Sequence, residues 1–191
     1  MDVAEKFCRR FREKKNRLEK SWNIGRFDVV LFTSDDIRRC REYADARKHQ
    51  LVAYNNRGQT SQSRKEKQVL WGKLGEVCAF RSLNYEGLSE PDFEIYPERQ
   101  KSWTSDLHSG NLYFSVKTHV IEMKIGEMRR VSWIFQWNNL NGCGGTDLEI
   151  FGNKENLLVV FVILDEHLTK GKVLSVIPNN EIQSLFDEPE E

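Results

Sequence analysis

The stretch Asp106-Leu107-His108-Ser109-Gly110-Asn111-Leu112-Tyr113-Phe114-Ser115-Val116-Lys117-Thr118-His119 decides how this chain is read. From Leu112 onward the residues alternate as in a β-strand. Leu112, Phe114, Val116 and Thr118 fall on one face, and Tyr113, Ser115, Lys117 and His119 on the other. Three of the first four suit a core. Gly110-Asn111 suits a two-residue hairpin turn, which would set Asp106 on the neighbouring strand with its side chain on the same side as Lys117. Lys117 then has two readings: the solvated face of an edge strand, or an ammonium aimed into a polar site. Asp106 also has two: an ordinary loop aspartate in Thr104-Ser105-Asp106, or a carboxylate at a strand end.

Upstream the period is helical. After a short apolar stretch, Phe27 to Phe32, Thr33 and Asp36 form a capping-box pattern that opens a helix reaching about Tyr54. Residues 55–63 are polar and rich in turn formers, so they read as a loop, a place for DNA to touch. Ser63 with Glu66 repeats the capping pattern and opens a helix to about Leu83. At 100° per residue, Glu76 on that helix lies beside Val69, Phe80 and Leu83 rather than on the polar face. A carboxylate there is costly unless it is paired, with Arg81 or Lys73, or binds a metal. At the front of the chain, Val3, Phe7, Phe11, Leu18 and Trp22 form a helical stripe among basic residues. That stripe docks on the core or on a second subunit.

Downstream the candidate strands are Phe93–Tyr96, Leu112–His119, Val131–Trp137, Leu157–Leu164 and Lys172–Ile177, followed by a short helix from about Asn179 to Phe186. Helices followed by a mostly β body favour an α+β fold, or a mixed α/β sheet with helices against it. The expected division is a basic helical extension over 1–62, a core over 63–186 and an acidic tail over 187–191. The run Gly142-Cys143-Gly144-Gly145 lacks the lysine of a phosphate loop and reads as a connection between strands.

The chain has 191 residues, 39% of them apolar and 30% charged, enough to bury a core. No run of eighteen apolar residues suggests a membrane span, and Met1–Lys15 has no apolar segment of the kind a secretory signal needs. Cys8, Cys40, Cys78 and Cys143 form no CxxC pair, which argues against structural zinc and for reduced thiols in the cytoplasm. The zero net charge hides an asymmetry: residues 1–73 hold 19 Lys+Arg against 10 Asp+Glu, and residues 74–191 hold 10 against 19. Mutual attraction of the two parts explains this balance. So does a basic surface for nucleic acid beside an acidic metal site.

The order of these signals is more specific than any one of them. A helix with an inward Glu76, a strand-end Asp106, a tight turn and a strand reading Ser115-Val116-Lys117 resembles the PD-(D/E)XK nuclease superfamily. The resemblance spans roughly residues 66–178. It implies a restriction-endonuclease-like mixed sheet flanked by helices, here with an N-terminal helical extension. It also implies a metal-dependent endonuclease acting on DNA, with catalytic positions at Glu76, Asp106, Ser115 and Lys117. Mg²⁺ or Mn²⁺ would be held by Glu76, Asp106 and the backbone carbonyl of Val116. Arg57, Arg64, Lys65, Lys73 and His119 would contact nucleic acid. The sequence departs from the family at Ser115, which stands where an acidic residue is usual, so a catalytically inactive DNA-binding descendant is the first alternative. The pair Pro91-Asp92 makes Asp92 a rival metal aspartate, although it would leave a long excursion before the strand. An RNA-directed nuclease and an interaction protein with a buried Glu76–Lys117 ion pair are further alternatives. The expected partners are DNA and a second copy of the chain, in a prokaryotic or phage-infected cytoplasm.

Overall fold

The computed structural model describes residues 27–47, 62–96, 105–121, 133 and 155–184. The front stripe, Val131–Trp137 apart from Trp133, Gly142–Gly145, Arg57 and the acidic tail lie outside these residues. Five strands and three helices are described in chain order: β1 (Val29–Leu31), α1 (Ser34–Ala46), α2 (Gln62–Ser82), β2 (Leu107–Ser109), β3 (Leu112–Ile121), β4 (Leu157–Asp165), β5 (Lys170–Pro178) and α3 (Asn179–Gln183). The strands form one mixed sheet in the order β1-β5-β4-β3-β2. Only β3 and β4 run parallel. The fold is therefore mixed α and β.

The hairpin forms as the alternation predicts. Leu107 pairs with Phe114 and Ser109 with Leu112, so Gly110-Asn111 makes the two-residue turn. Gly110 has φ +54°, a conformation that favours glycine. The helix-facing side of β3 carries Phe114, Val116 and Val120, and with β4's Val160, Val162 and Leu164 it packs on α2's Leu74, Val77 and Cys78. The opposite side is smaller. There Val159, Phe161, Ile177 and Ile182 gather around Trp133. Between Phe161 and Val162 the β4–β5 register shifts. This lets Val173 and Val176 of β5 both serve the helix-side core, while Ile177 serves the other.

Helix α2 is buried continuously from Lys73 to Ala79 because it lies against the sheet on one side and α1 on the other. It approaches β3 so closely that a Cβ on Gly75 would fall 1.9 Å from Thr118 Oγ1. Glycine at 75 is thus what sets the depth of the helix on the sheet.

Several expectations are corrected. The Thr33–Asp36 capping box is present in both directions, but its helix ends at Ala46 rather than near Tyr54. Ser63 lies inside α2 rather than capping it, since the helix begins at Gln62. Phe93–Tyr96 is not a strand: the Asp92 carboxylate takes the Glu94 amide at 2.8 Å, which turns the chain locally instead of leaving that amide for a ladder. Strands β1 and β2 have three residues each, too short to show a period. Val29–Ala46, counted with the basic extension, supplies an edge strand and a helix to the same body.

Candidate functional site

Glu76 sits on α2 and is only 8% exposed. Its partner is Lys73, one turn back, whose Nζ lies 2.5 Å from Glu76 Oε2. Of the two pairings the sequence offers within the helix, this is the one made; Arg81 instead binds Asp36 at 2.6 Å. Lys73 is equally buried. Its ammonium stands 4.7 Å from the centre of the Tyr43 ring and 5.6 Å from that of Phe93, and these two rings meet edge to face at 5.9 Å. The aromatic faces compensate part of the hydration that a buried ammonium gives up.

Asp106 lies just before β2. Its Oδ2 accepts the Val116 amide at 2.7 Å, which fastens the carboxylate to the middle of Ser115-Val116-Lys117. Asp92 arrives by a different route. The segment after α2 folds back along β2: the Ser89 amide donates to the His108 carbonyl at 2.7 Å, and the His108 amide donates to Ser89 Oγ at 2.9 Å. Ser109 Oγ donates to the Glu86 carbonyl at 2.5 Å. The excursion between Asp92 and β3 is therefore real, but the chain before it is pinned to the hairpin.

These routes converge on one recess of about 220 Å³, with Glu76, Asp92 and Asp106 among its lining residues, together with Lys73, Tyr43, Arg47 and Tyr96. The two aspartates that the sequence sets as rivals thus share a pocket. Burial pushes Glu76 up to about 8, the charge of Asp106 adds to this, Lys73 opposes it, and Asp92 contributes a further upward push. Bonds to Asp92 and Glu94 push the Tyr96 phenol above its ordinary range.

Ser115 and Lys117 do not line this recess. In the β3–β4 register Ser115 stands beside Val159 and Lys117 beside Phe161, on the side of the sheet away from α2. Ser115 is fully buried, and Lys117 is half-buried. His119, on the same side, is exposed and meets Trp133 at 6.3 Å between ring centres. Continuing the β2–β3 pairing one step beyond Leu107–Phe114 sets Asp106 opposite Ser115. Asp106 thus links the two sides: its position belongs to the hairpin, and its carboxylate to the recess. Among the proposed nucleic-acid contacts, Arg64 is exposed, whereas Lys65 and Lys73 are buried.

Among the described residues, no group of three or more His, Cys, Asp or Glu side chains is arranged to hold a metal ion. The pair Glu76 and Asp106 still fits a hard cation chemically. Both are carboxylates, they line one recess, and their repulsion is of the kind a divalent ion relieves. The described cysteines take no part: Cys40 and Cys78 are free and buried, and burial pushes both thiols up to about 12. Among the described residues, no helix is long and apolar enough to cross a membrane.

Six residues of the recess were not singled out as site residues in the sequence: Tyr43, Arg47, Val69, Gly72, Tyr96 and Ser105. Of these, Arg47 falls under one sequence signal, the basic excess of residues 1–73. No family model, curated protein or solved structure matches this chain.

Proposed function

We propose that the chain is a metal-dependent nuclease hydrolysing phosphodiester bonds in DNA, on a restriction-endonuclease-like core. One observation carries the reading: Glu76 and Asp106 line one recess, and Asp106 is bonded to the amide of Val116 in the Ser115-Val116-Lys117 strand. Glu76, Asp106 and the Val116 carbonyl would hold Mg²⁺ or Mn²⁺. When bound, such an ion supplies a more acidic water and neutralises charge on the phosphate.

The remaining work falls to the chain itself. The Val116 amide keeps the Asp106 carboxylate from swinging away, so its position is set before substrate arrives. Lys117, whose side chain leaves the strand on the side away from α2, would act on the scissile phosphate from that side rather than within the recess. Lys73 keeps Glu76 oriented through their ion pair.

The same ion pair favours a second reading. Glu76 already has a cation beside it, and below about pH 8 it takes up a proton, so the recess stands without metal. With Ser115 a hydroxyl, a catalytically silent DNA-binding protein of this fold is the alternative.

The test is cleavage of supercoiled plasmid, linear duplex, single-stranded DNA and RNA with Mg²⁺, Mn²⁺ or EDTA, using wild type, Asp106→Ala and Lys117→Ala. The nuclease reading expects metal-dependent cutting by wild type and a loss of at least about a hundredfold in both variants. DNA binding without cutting would support the silent reading. Absence of both from folded protein would remove each of them. Cutting of RNA alone would move the substrate class.

A further inference from the structure

The wall of the recess facing the carboxylates is of different chemistry. Arg47 caps the C-terminus of α1, and its Nη1 lies 3.4 Å from the Tyr43 hydroxyl, which accepts its hydrogen bond. Its guanidinium also stands 5.8 Å from the centre of the Tyr43 ring. Tyr43 is itself packed against Phe93 and the Lys73 ammonium, so Arg47 is held at the recess by a braced partner. Tyr96 lines the recess from the other loop, is 39% exposed, and has its hydroxyl bonded to Asp92 and Glu94. Its ring is thereby anchored at one end and open to solvent. One guanidinium and one anchored, open aromatic ring beside a carboxylate floor match the parts of a nucleotide: an anion, and a flat base that stacks on any π-face.

The dimensions narrow the ligand. The recess holds about 220 Å³, less than the roughly 300 Å³ and upward typical of drug-sized ligands. At its floor Glu76 is 8% exposed. A base that is paired and stacked in a duplex cannot enter such a space without leaving its neighbours, whereas an unpaired one enters without that cost. Resting on the nuclease reading above, we propose that the recess takes a single unpaired nucleotide, with Arg47 on its phosphate and Tyr96 stacked on its base. The substrate would then be single-stranded DNA, or a duplex with an unpaired end, rather than an intact duplex.

The test uses fluorescence anisotropy in Ca²⁺, which keeps a divalent ion present while suppressing turnover. The probes are a blunt hairpin duplex and the same hairpin with a single-stranded overhang carrying 2-aminopurine. Wild type is expected to bind the overhang probe about tenfold tighter than the blunt one, with quenching of 2-aminopurine. Arg47→Gln and Tyr96→Leu are expected to abolish the preference, and Tyr96→Phe to retain both preference and quenching. Equal wild-type affinity for the two probes overturns the inference, as does an undiminished preference in Tyr96→Leu. Either result leaves the nuclease reading intact if the plasmid assay shows metal-dependent cutting lost in Asp106→Ala. If wild type binds neither probe and cuts nothing, both readings fall together.

Discussion

Two buried carboxylates sit on the two long helices, each 8% exposed and each beside a basic side chain. They behave in opposite ways. Asp36 accepts from the Thr33 amide and hydroxyl, both at 2.7 Å, and from Arg81 at 2.6 Å. Burial pushes it up, but these donors outweigh burial and hold it below the ordinary carboxylate range. Glu76 has Lys73, yet burial together with the charges of Asp106 and Asp92 pushes it up to about 8. Asp36 is a solved structural problem: a capping box with a cation attached. Glu76 is an unsolved one, because the chain brings further negative charge toward it. A fold gains nothing from that arrangement, so it argues for a ligand that does.

Removing the cations should separate the two sites most clearly. Lys73→Met leaves Glu76 buried without its partner, and loss of one member of a buried pair costs about 3–5 kcal/mol. Urea melts above pH 8, where folded Glu76 is ionised, should register a loss of that order, shrinking below pH 8 as Glu76 takes up a proton. Arg81→Met should cost about 1 kcal/mol or less, because the arginine side chain is 37% exposed and solvent screens it. Equal losses in the two variants would erase the distinction.

Next in size is the packing that brings α2 to the recess. Gly75→Ala sets a methyl 1.9 Å from Thr118 Oγ1, so the helix or the strand must move. Overpacking of this kind costs about 1–3 kcal/mol, and the displaced helix should weaken the metal binding proposed for Glu76 and Asp106, measured calorimetrically on the folded variant. Thr33→Ala, at the other carboxylate, removes the cap and one of the donors to Asp36. It should cost about 1 kcal/mol in thermal melts without changing metal binding.

These contrasts also explain what the sequence could reveal. Strand β3 and its hairpin were legible because alternation and a two-residue turn are local properties. The inward position of Glu76 was legible because a helix repeats every 3.6 residues, and its partner Lys73 was within that reach. The position of Asp92 was not. It depends on Ser89 bonding His108, nineteen residues on, and on a side chain capturing the Glu94 amide where the apolar residues suggested a strand. Nor was the sidedness of Lys117 relative to Glu76 legible, because it requires knowing which face of the sheet α2 covers.

The smallest expected effects concern the pH dependence that distinguishes the two carboxylates. A carboxyl whose folded pKa is raised binds a proton more readily folded than unfolded, so its contribution to stability falls as pH rises. For Glu76 that window runs from the ordinary 4.5 to about 8. Asp36, lowered, contributes stability that is present above the ordinary aspartate range and is lost as pH falls below it. Glu76→Gln should therefore flatten the decline of stability between about pH 5 and 8, and Asp36→Asn should flatten the loss at acid pH. Asp92→Asn is the finest probe. Asp92 is the weakest of the influences on Glu76 and is exposed, so its removal should leave stability at pH 5 unchanged and move the midpoint of the Glu76 decline only slightly downward. An unchanged midpoint would mean that Asp92 does not act electrostatically on Glu76, and the recess would then be a two-carboxylate site built on Glu76 and Asp106.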